Sequence, residues 1–104
     1  MTANDVVIQH GANQGLFCAI LSFTNPGDGI LVPEFGYPIF EKIAPALNVN
    51  LIKYKLRPNF EIDLDHVKAV MTPSTQFIFI VNPMNPTGNI FTLEHMQEIL
   101  KFCD

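Results

Sequence analysis

Five consecutive apolar residues, Phe77 to Val81, run straight into Asn82-Pro83-Met84-Asn85-Pro86-Thr87-Gly88. The apolar run has no polar face, so as a strand it must be covered on both sides. The residues after it suit neither helix nor strand. Each Pro removes a backbone donor and pushes the Asn before it towards an extended conformation, and Thr-Gly supplies turn chemistry. Each Asn-Pro bond can also be cis at modest cost. A buried strand ending in a rigid turn sits where open α/β sheets bind ligands, at the carboxyl ends of their strands. A plain strand-to-helix turn is the competing reading of this stretch alone.

The rest of the chain repeats that alternation. Val6-Val7-Ile8-Gln9, Ile30-Leu31-Val32 and the stretch 49–56 are further strand candidates. After the first, Ala12, Leu16, Ala19, Ile20 and Phe23 recur at helical spacing, stopped by Asn25-Pro26-Gly27-Asp28. Tyr37-Pro38 opens a second helix with Ile39, Phe40, Ile43, Ala46 and Leu47 as its apolar face; Pro45 predicts a kink or an early end. Asp63 caps a third helix burying Leu64, Val67, Val70 and Met71. Thr92 caps a fourth, with Glu94 in its first turn and Leu93, Met96, Ile99, Leu100 and Cys103 facing inwards. The order β-α-β-α-β-α-β-α predicts an α/β fold: a partial doubly wound, mostly parallel sheet with helices on both faces. At 104 residues the chain is one domain at most, or part of a larger one. It finishes on a helix with no strand after it, so the expectation is a piece of a larger domain.

A net charge of −4 argues against nucleic acid, which needs a basic patch. Lys53, Lys55 and Arg57 alternate, as on the solvated face of a strand. Cys18 and Cys103 do not suggest a disulfide framework, and no metal-ligand spacing appears. His66 and His95 fall on predicted helices, on faces expected to be solvated. No apolar run has the length of a membrane span, and the N-terminus lacks the features of a signal peptide. The expectation is an intracellular protein with no membrane partner. No Ser-His-Asp or Cys-His arrangement and no paired carboxylates stand out.

Chemistry concentrates at three strand-to-helix junctions. His10-Gly11-Ala12-Asn13-Gln14-Gly15 puts a glycine turn at a helix start, where unpaired N–H groups suit a phosphate. Its G-x-x-x-G spacing is neither the dinucleotide fingerprint nor a P-loop, and a purely structural helix start is the alternative. Tyr37, between Gly36 and Pro38, can stack on a flat ligand or be ordinary core; Phe35, with no polar tip, reads as core. Asn85 can donate to an anionic oxygen, whereas Asn82 is expected to bond within its own turn. A phosphate cradle, an aromatic ring and an aimed amide on one rim suit a flat phosphorylated cofactor.

At these residues the chain resembles the class I/II aminotransferases of fold type I, and within them the tyrosine aminotransferase branch. The resemblance runs through HGANQG, NPGDGILVPEFGYPIF, NFEIDLDHV, NPMNPTGNIF and EHMQEIL. It implies pyridoxal 5'-phosphate as cofactor, with Gly11, Ala12 and Asn13 at the phosphate, Tyr37 on the ring, and Asn85 on the ring oxygen before a cis Pro86. It implies transfer of an amino group from an aromatic L-amino acid to a 2-oxo acid such as 2-oxoglutarate, in a homodimeric parent of the cytoplasm or mitochondrion. His10 stands where a small Ser is common, and Phe35 where some relatives carry Pro. The Schiff-base Lys of the family falls after the signature, so no catalytic residue is assigned here. Residues 1–104 are expected to be part of the large cofactor-binding domain, with no second domain, and inactive alone. Two other readings use the same loops: another fold-type I enzyme (a carbon–sulfur lyase or cyclopropane-forming synthase), and a non-catalytic anion-binding module.

Overall fold

Gly29 to Pro33 form a strand, β1, in which every residue is buried. In the computed structural model, which describes residues 1–103, β1 is the centre of a three-stranded sheet. β2 (Asn50–Tyr54) and β3 (Thr75–Ile78) flank it in the order β2-β1-β3, and both pairings are parallel. Four helices connect and cover the strands: α1 (Gly11–Phe23), α2 (Phe40–Leu47), α3 (Leu64–Val70) and α4 (Leu93–Cys103).

Successive side chains of a strand point to opposite faces. β1 therefore sends Ile30 and Val32 into one core and Leu31 into another. β3 and its continuation divide likewise: Phe77 and Phe79 on the first face, Ile78 and Ile80 on the second. Ile20 of α1 and Phe40, Ile43 and Ala44 of α2 complete the first core. Val67 of α3 and Ile99 of α4, with Tyr54, Ile62, Met84 and Phe91, complete the second. The connection through α2 runs outwards from β1 to β2, and the one through α3 returns across β1 to β3. Crossovers of one hand running in opposite directions place their helices on opposite faces. The doubly wound, mostly parallel arrangement expected from the sequence is what forms.

The β1–β2 ladder runs in step from Gly29↔Asn50 to Pro33↔Tyr54. The β1–β3 ladder shifts register between Gly29 and Ile30, so that Gln76 is the extra residue of a bulge. Asp63 caps α3 as expected, accepting the His66 N–H at 3.0 Å. Thr92 Oγ1 accepts the His95 N–H at 3.1 Å at the start of α4. Pro45 does not stop α2, which continues to Leu47 and ends at Asn48 in the left-handed region (φ 54°). The bond Pro45 cannot give would fall on the carbonyl of Glu41, an exposed residue that solvent can serve.

Three expectations fail for identifiable reasons. Val6–Gln9 is not a strand; it follows a short 3-10 turn (Ala3–Asp5), and Val6, Val7 and Ile8 are exposed. A strand exists only through its ladder, and no described strand pairs with this segment. The inward stripe of α4 is His95 and Ile99 with Met96 and Phe102, while Leu93 and Leu100 face outwards. Met71 and Phe23 are likewise exposed at the ends of their helices.

Candidate functional site

The chain leaves β1 towards α2 on one face and leaves β3 towards α4 on the other. Two adjacent parallel strands whose exits diverge open a crevice beyond their carboxyl ends, where α/β sheets bind ligands. A cavity of about 410 Å³ lies there. Ala12 and Leu16 of α1, Tyr37 and Phe40 after β1, the 79–81 run after β3, and Asn85 line it. All three predicted junctions meet at one site. Gly11 and Asn13, adjacent to Ala12, stand beside the lining rather than in it.

α1 supplies the first wall. Gly11 takes φ +79°, a conformation costly for any residue with a Cβ, and space is not the constraint because a Cβ there meets nothing within 4 Å. His10 is the residue before the helix, and its side chain makes no capping bond. Instead the Gln14 side chain reaches back to accept the His10 N–H at 2.7 Å. The first-turn N–H groups of α1 thus begin the helix without a side-chain acceptor, at the positive end of its dipole.

The second wall is the turn after β1. The Tyr37 hydroxyl donates to Asn13 Oδ1 at 2.8 Å, tying this turn to the start of α1. Tyr37 is 38% exposed, with its ring on the cavity, so it is not a core aromatic. Phe35 is not core either: it is 68% exposed and lines a second apolar hollow with Leu56, Phe60, Met84 and Pro86. β1 ends at Pro33 and the chain bends over 34–36, so Phe35 lies outside the alternation of the strand that fills the two cores.

The third wall is the 82–88 loop. Both Asn82-Pro83 and Asn85-Pro86 are cis. Met84 is buried in the second core and anchors the loop; its N–H donates to the Asn89 carbonyl at 2.8 Å, and its carbonyl accepts from Gly88 at 2.7 Å. Asn82 Oδ1 accepts the Phe91 N–H at 3.1 Å, so this side chain braces its own loop. Asn85 is left at the tip, exposed and facing the cavity. A Cβ on Gly36 would lie 3.6 Å from the Asn85 carbonyl oxygen, so the second and third walls touch.

Among the described residues no charged side chain lines the cavity, and Lys42, Lys53, Lys55, Lys68 and Lys101 all lie elsewhere. Lys53 pairs with Glu41 at 2.7 Å on the surface; that hydrogen bond, and then the lysine's charge, hold the Glu41 carboxyl below its ordinary range. Burial pushes the Tyr54 phenol well above the usual tyrosine range. The two helix histidines are not solvated as expected. His66 is half-buried and accepts the Lys55 N–H through Nδ1 at 3.2 Å. His95 is 2% exposed and accepts the Ile62 N–H through Nε2 at 2.9 Å. The donors they serve come from other elements, which helical periodicity cannot reveal. The apolar floor of the cavity, from Phe40 and the 79–81 run, also escapes sequence reasoning; its one signal is that the apolar run continues unbroken from Phe77 to Val81, up to the turn.

The geometry fits a flat, phosphorylated ligand: an uncapped helix start, an aromatic face and a donor amide around an apolar floor. A family model described as "Aminotransferase class I and II" matches residues 1–104. The chain is 38% identical over 105 residues to the tyrosine aminotransferase of Caenorhabditis elegans, covering 98% of this chain and 23% of that protein. It is 31% identical over 102 residues to the tyrosine aminotransferase of Homo sapiens, covering 96% of this chain and 22% of that one. Among solved structures, a tyrosine aminotransferase from Leishmania infantum superposes with a TM-score of 0.85 at 29% identity, over 89% of this chain and 26% of that one. An alanine aminotransferase from Pyrococcus furiosus gives 0.91 at 27% identity, over 99% of this chain and 27% of that one. The fold is that of the fold-type I aminotransferases, and the chain belongs to the class I and II aminotransferase family. Its sequence is tyrosine aminotransferase-like, and it spans about a quarter of the length of the curated relatives it matches.

Proposed function

We propose that this chain forms part of the large cofactor-binding domain of an enzyme that moves an amino group from an aromatic L-amino acid to a 2-oxo acid such as 2-oxoglutarate. The observation that carries the reading is the meeting of Ala12, Tyr37 and Asn85 on one cavity at the switch point of the sheet. Pyridoxal 5'-phosphate is the proposed cofactor; when bound, it supplies an electron sink for bond breaking beside the amino group. The main-chain N–H groups of Gly11 and Ala12 and the side chain of Asn13 would hold its phosphate. Tyr37 would lie against its ring, and the Asn85 amide would donate to the ring oxygen. The apolar floor of Phe40, Phe79, Ile80 and Val81 would keep water from the ring and strengthen these polar contacts. Because no lysine lines the cavity, the chain by itself is proposed to be inactive, its parent a homodimer of the cytoplasm or mitochondrion.

The test is the affinity of the full encoded protein for pyridoxal 5'-phosphate, read by its absorbance. Asn85→Ala is expected to raise Kd about 10-fold or more, the loss of one hydrogen bond to a charged oxygen. An unchanged Kd would remove Asn85 from the site and with it the main support of the reading.

A further inference from the structure

The parallel ladder between β1 and β3 lacks one bond by covalent necessity. Leu31 is paired with Ile78, and its carbonyl accepts the Phe79 N–H at 2.8 Å. In a parallel ladder the residue two positions on supplies the next donor, here position 33 to the Phe79 carbonyl. The opposite side of β1 agrees with this phase, because Glu34, one residue later, donates to the Tyr54 carbonyl on β2 at 2.8 Å. Position 33 is Pro, with no N–H to give. A proline in the central strand of a sheet would leave the Phe79 carbonyl without its partner.

The Tyr54 hydroxyl donates to that same carbonyl at 2.8 Å. Tyr54 ends β2, two strands from Phe79, and is fully buried beside Leu31 in the second core. Its side chain therefore passes across the end of β1 to reach the far strand. Phe79 begins the 79–81 run that floors the cavity.

We infer that Tyr54 is a positioning residue: its hydroxyl replaces the main-chain donor that Pro33 lacks, and so sets the height of the cavity floor beneath Tyr37 and Asn85. Tyr54 touches neither the cavity nor anything bound in it and acts only through the Phe79 carbonyl. The cofactor part of this inference rests on the proposed function; the hydrogen-bond replacement does not.

Two substitutions separate the roles. Tyr54→Phe deletes the hydroxyl and keeps the ring. Pro33→Ala restores a main-chain N–H at the position the ladder assigns to the Phe79 carbonyl. The full encoded protein is measured as wild type, both single variants and the double variant. The readouts are the denaturant stability of the cofactor-free form and the Kd for pyridoxal 5'-phosphate. Tyr54→Phe should shift the unfolding equilibrium about 5-fold or more towards unfolding and weaken cofactor binding. In the Pro33→Ala background the same change should cost about 2-fold or less in either readout. Equal costs in both backgrounds would reduce Tyr54 to a space-filling core residue and overturn the replacement. Rescue of stability without rescue of Kd would confirm the replacement and overturn the control of the floor. If wild type fails to bind pyridoxal 5'-phosphate, the proposed function falls, and the stability cycle still decides the replacement.

Discussion

His95 offers a quantitative check on how the second core is held. The imidazole is 2% exposed, its Nε2 accepts the Ile62 N–H at 2.9 Å, and Phe91 meets it edge-on with centroids 5.5 Å apart. His95→Leu keeps most of the apolar volume but provides no acceptor. The Ile62 N–H, in a residue with no exposure, then loses its partner. A buried donor so stranded costs about 1–3 kcal/mol. Losing the ring contact costs about 0.5–1.5 kcal/mol more, and the extra apolar surface of leucine offsets about 1 kcal/mol. The expected loss is about 0.5–3.5 kcal/mol, read as a lower urea midpoint with unchanged slope. His95→Gln keeps an acceptor where Nε2 sits and should recover about 1 kcal/mol of that loss. If leucine and glutamine are equally destabilised, or leucine matches wild type, the bond to Ile62 does not hold the core.

Three further outcomes are expected. Gly11→Ala should lower stability by about 1–2 kcal/mol, because φ +79° penalises a Cβ although the site has room for one; thermal melts would show it. Asp63→Ala should cost about 0.5–2 kcal/mol through the lost cap of α3, and Asp63→Asn should restore most of it in the same denaturation assay. The Lys53–Glu41 pair depresses the folded-state pKa of Glu41 below 4.5, so its contribution is present above that pH and is lost as pH falls through the folded value. The stability gap between wild type and Glu41→Gln should therefore close on acidification and on adding salt, and a gap that grows in acid would reverse the sign.

What the sequence discloses follows from which interactions are local. Ile30-Leu31-Val32 and the start of the Phe77 run announce strands, because a strand covered on both faces has no polar alternation. Asp63 and Thr92 announce helix starts because capping is settled within three residues. Val6-Val7-Ile8 has the same composition as a real strand yet forms none, since pairing depends on a partner far along the chain. His95 looks like a surface residue on a helix wheel; its burial is decided by an N–H 33 residues earlier. At the site, Gly11, Tyr37 and Asn85 are each conspicuous as turn chemistry. That they share one cavity depends on the order β2-β1-β3, which turn chemistry does not encode.

The bond from Tyr37 to Asn13 has an effect on selectivity. A carboxamide can greet a visitor with its oxygen or its nitrogen, and so is ordinarily indifferent to sign. Here the oxygen accepts from the phenol at 2.8 Å, so one of its two acceptor sites is occupied while both side-chain N–H groups of Asn13 remain to donate. The aromatic wall thereby biases its neighbour towards anionic oxygens, which find two donors against one remaining acceptor site on the amide. Tyr37→Phe would leave the helix start in place and return that choice to Asn13.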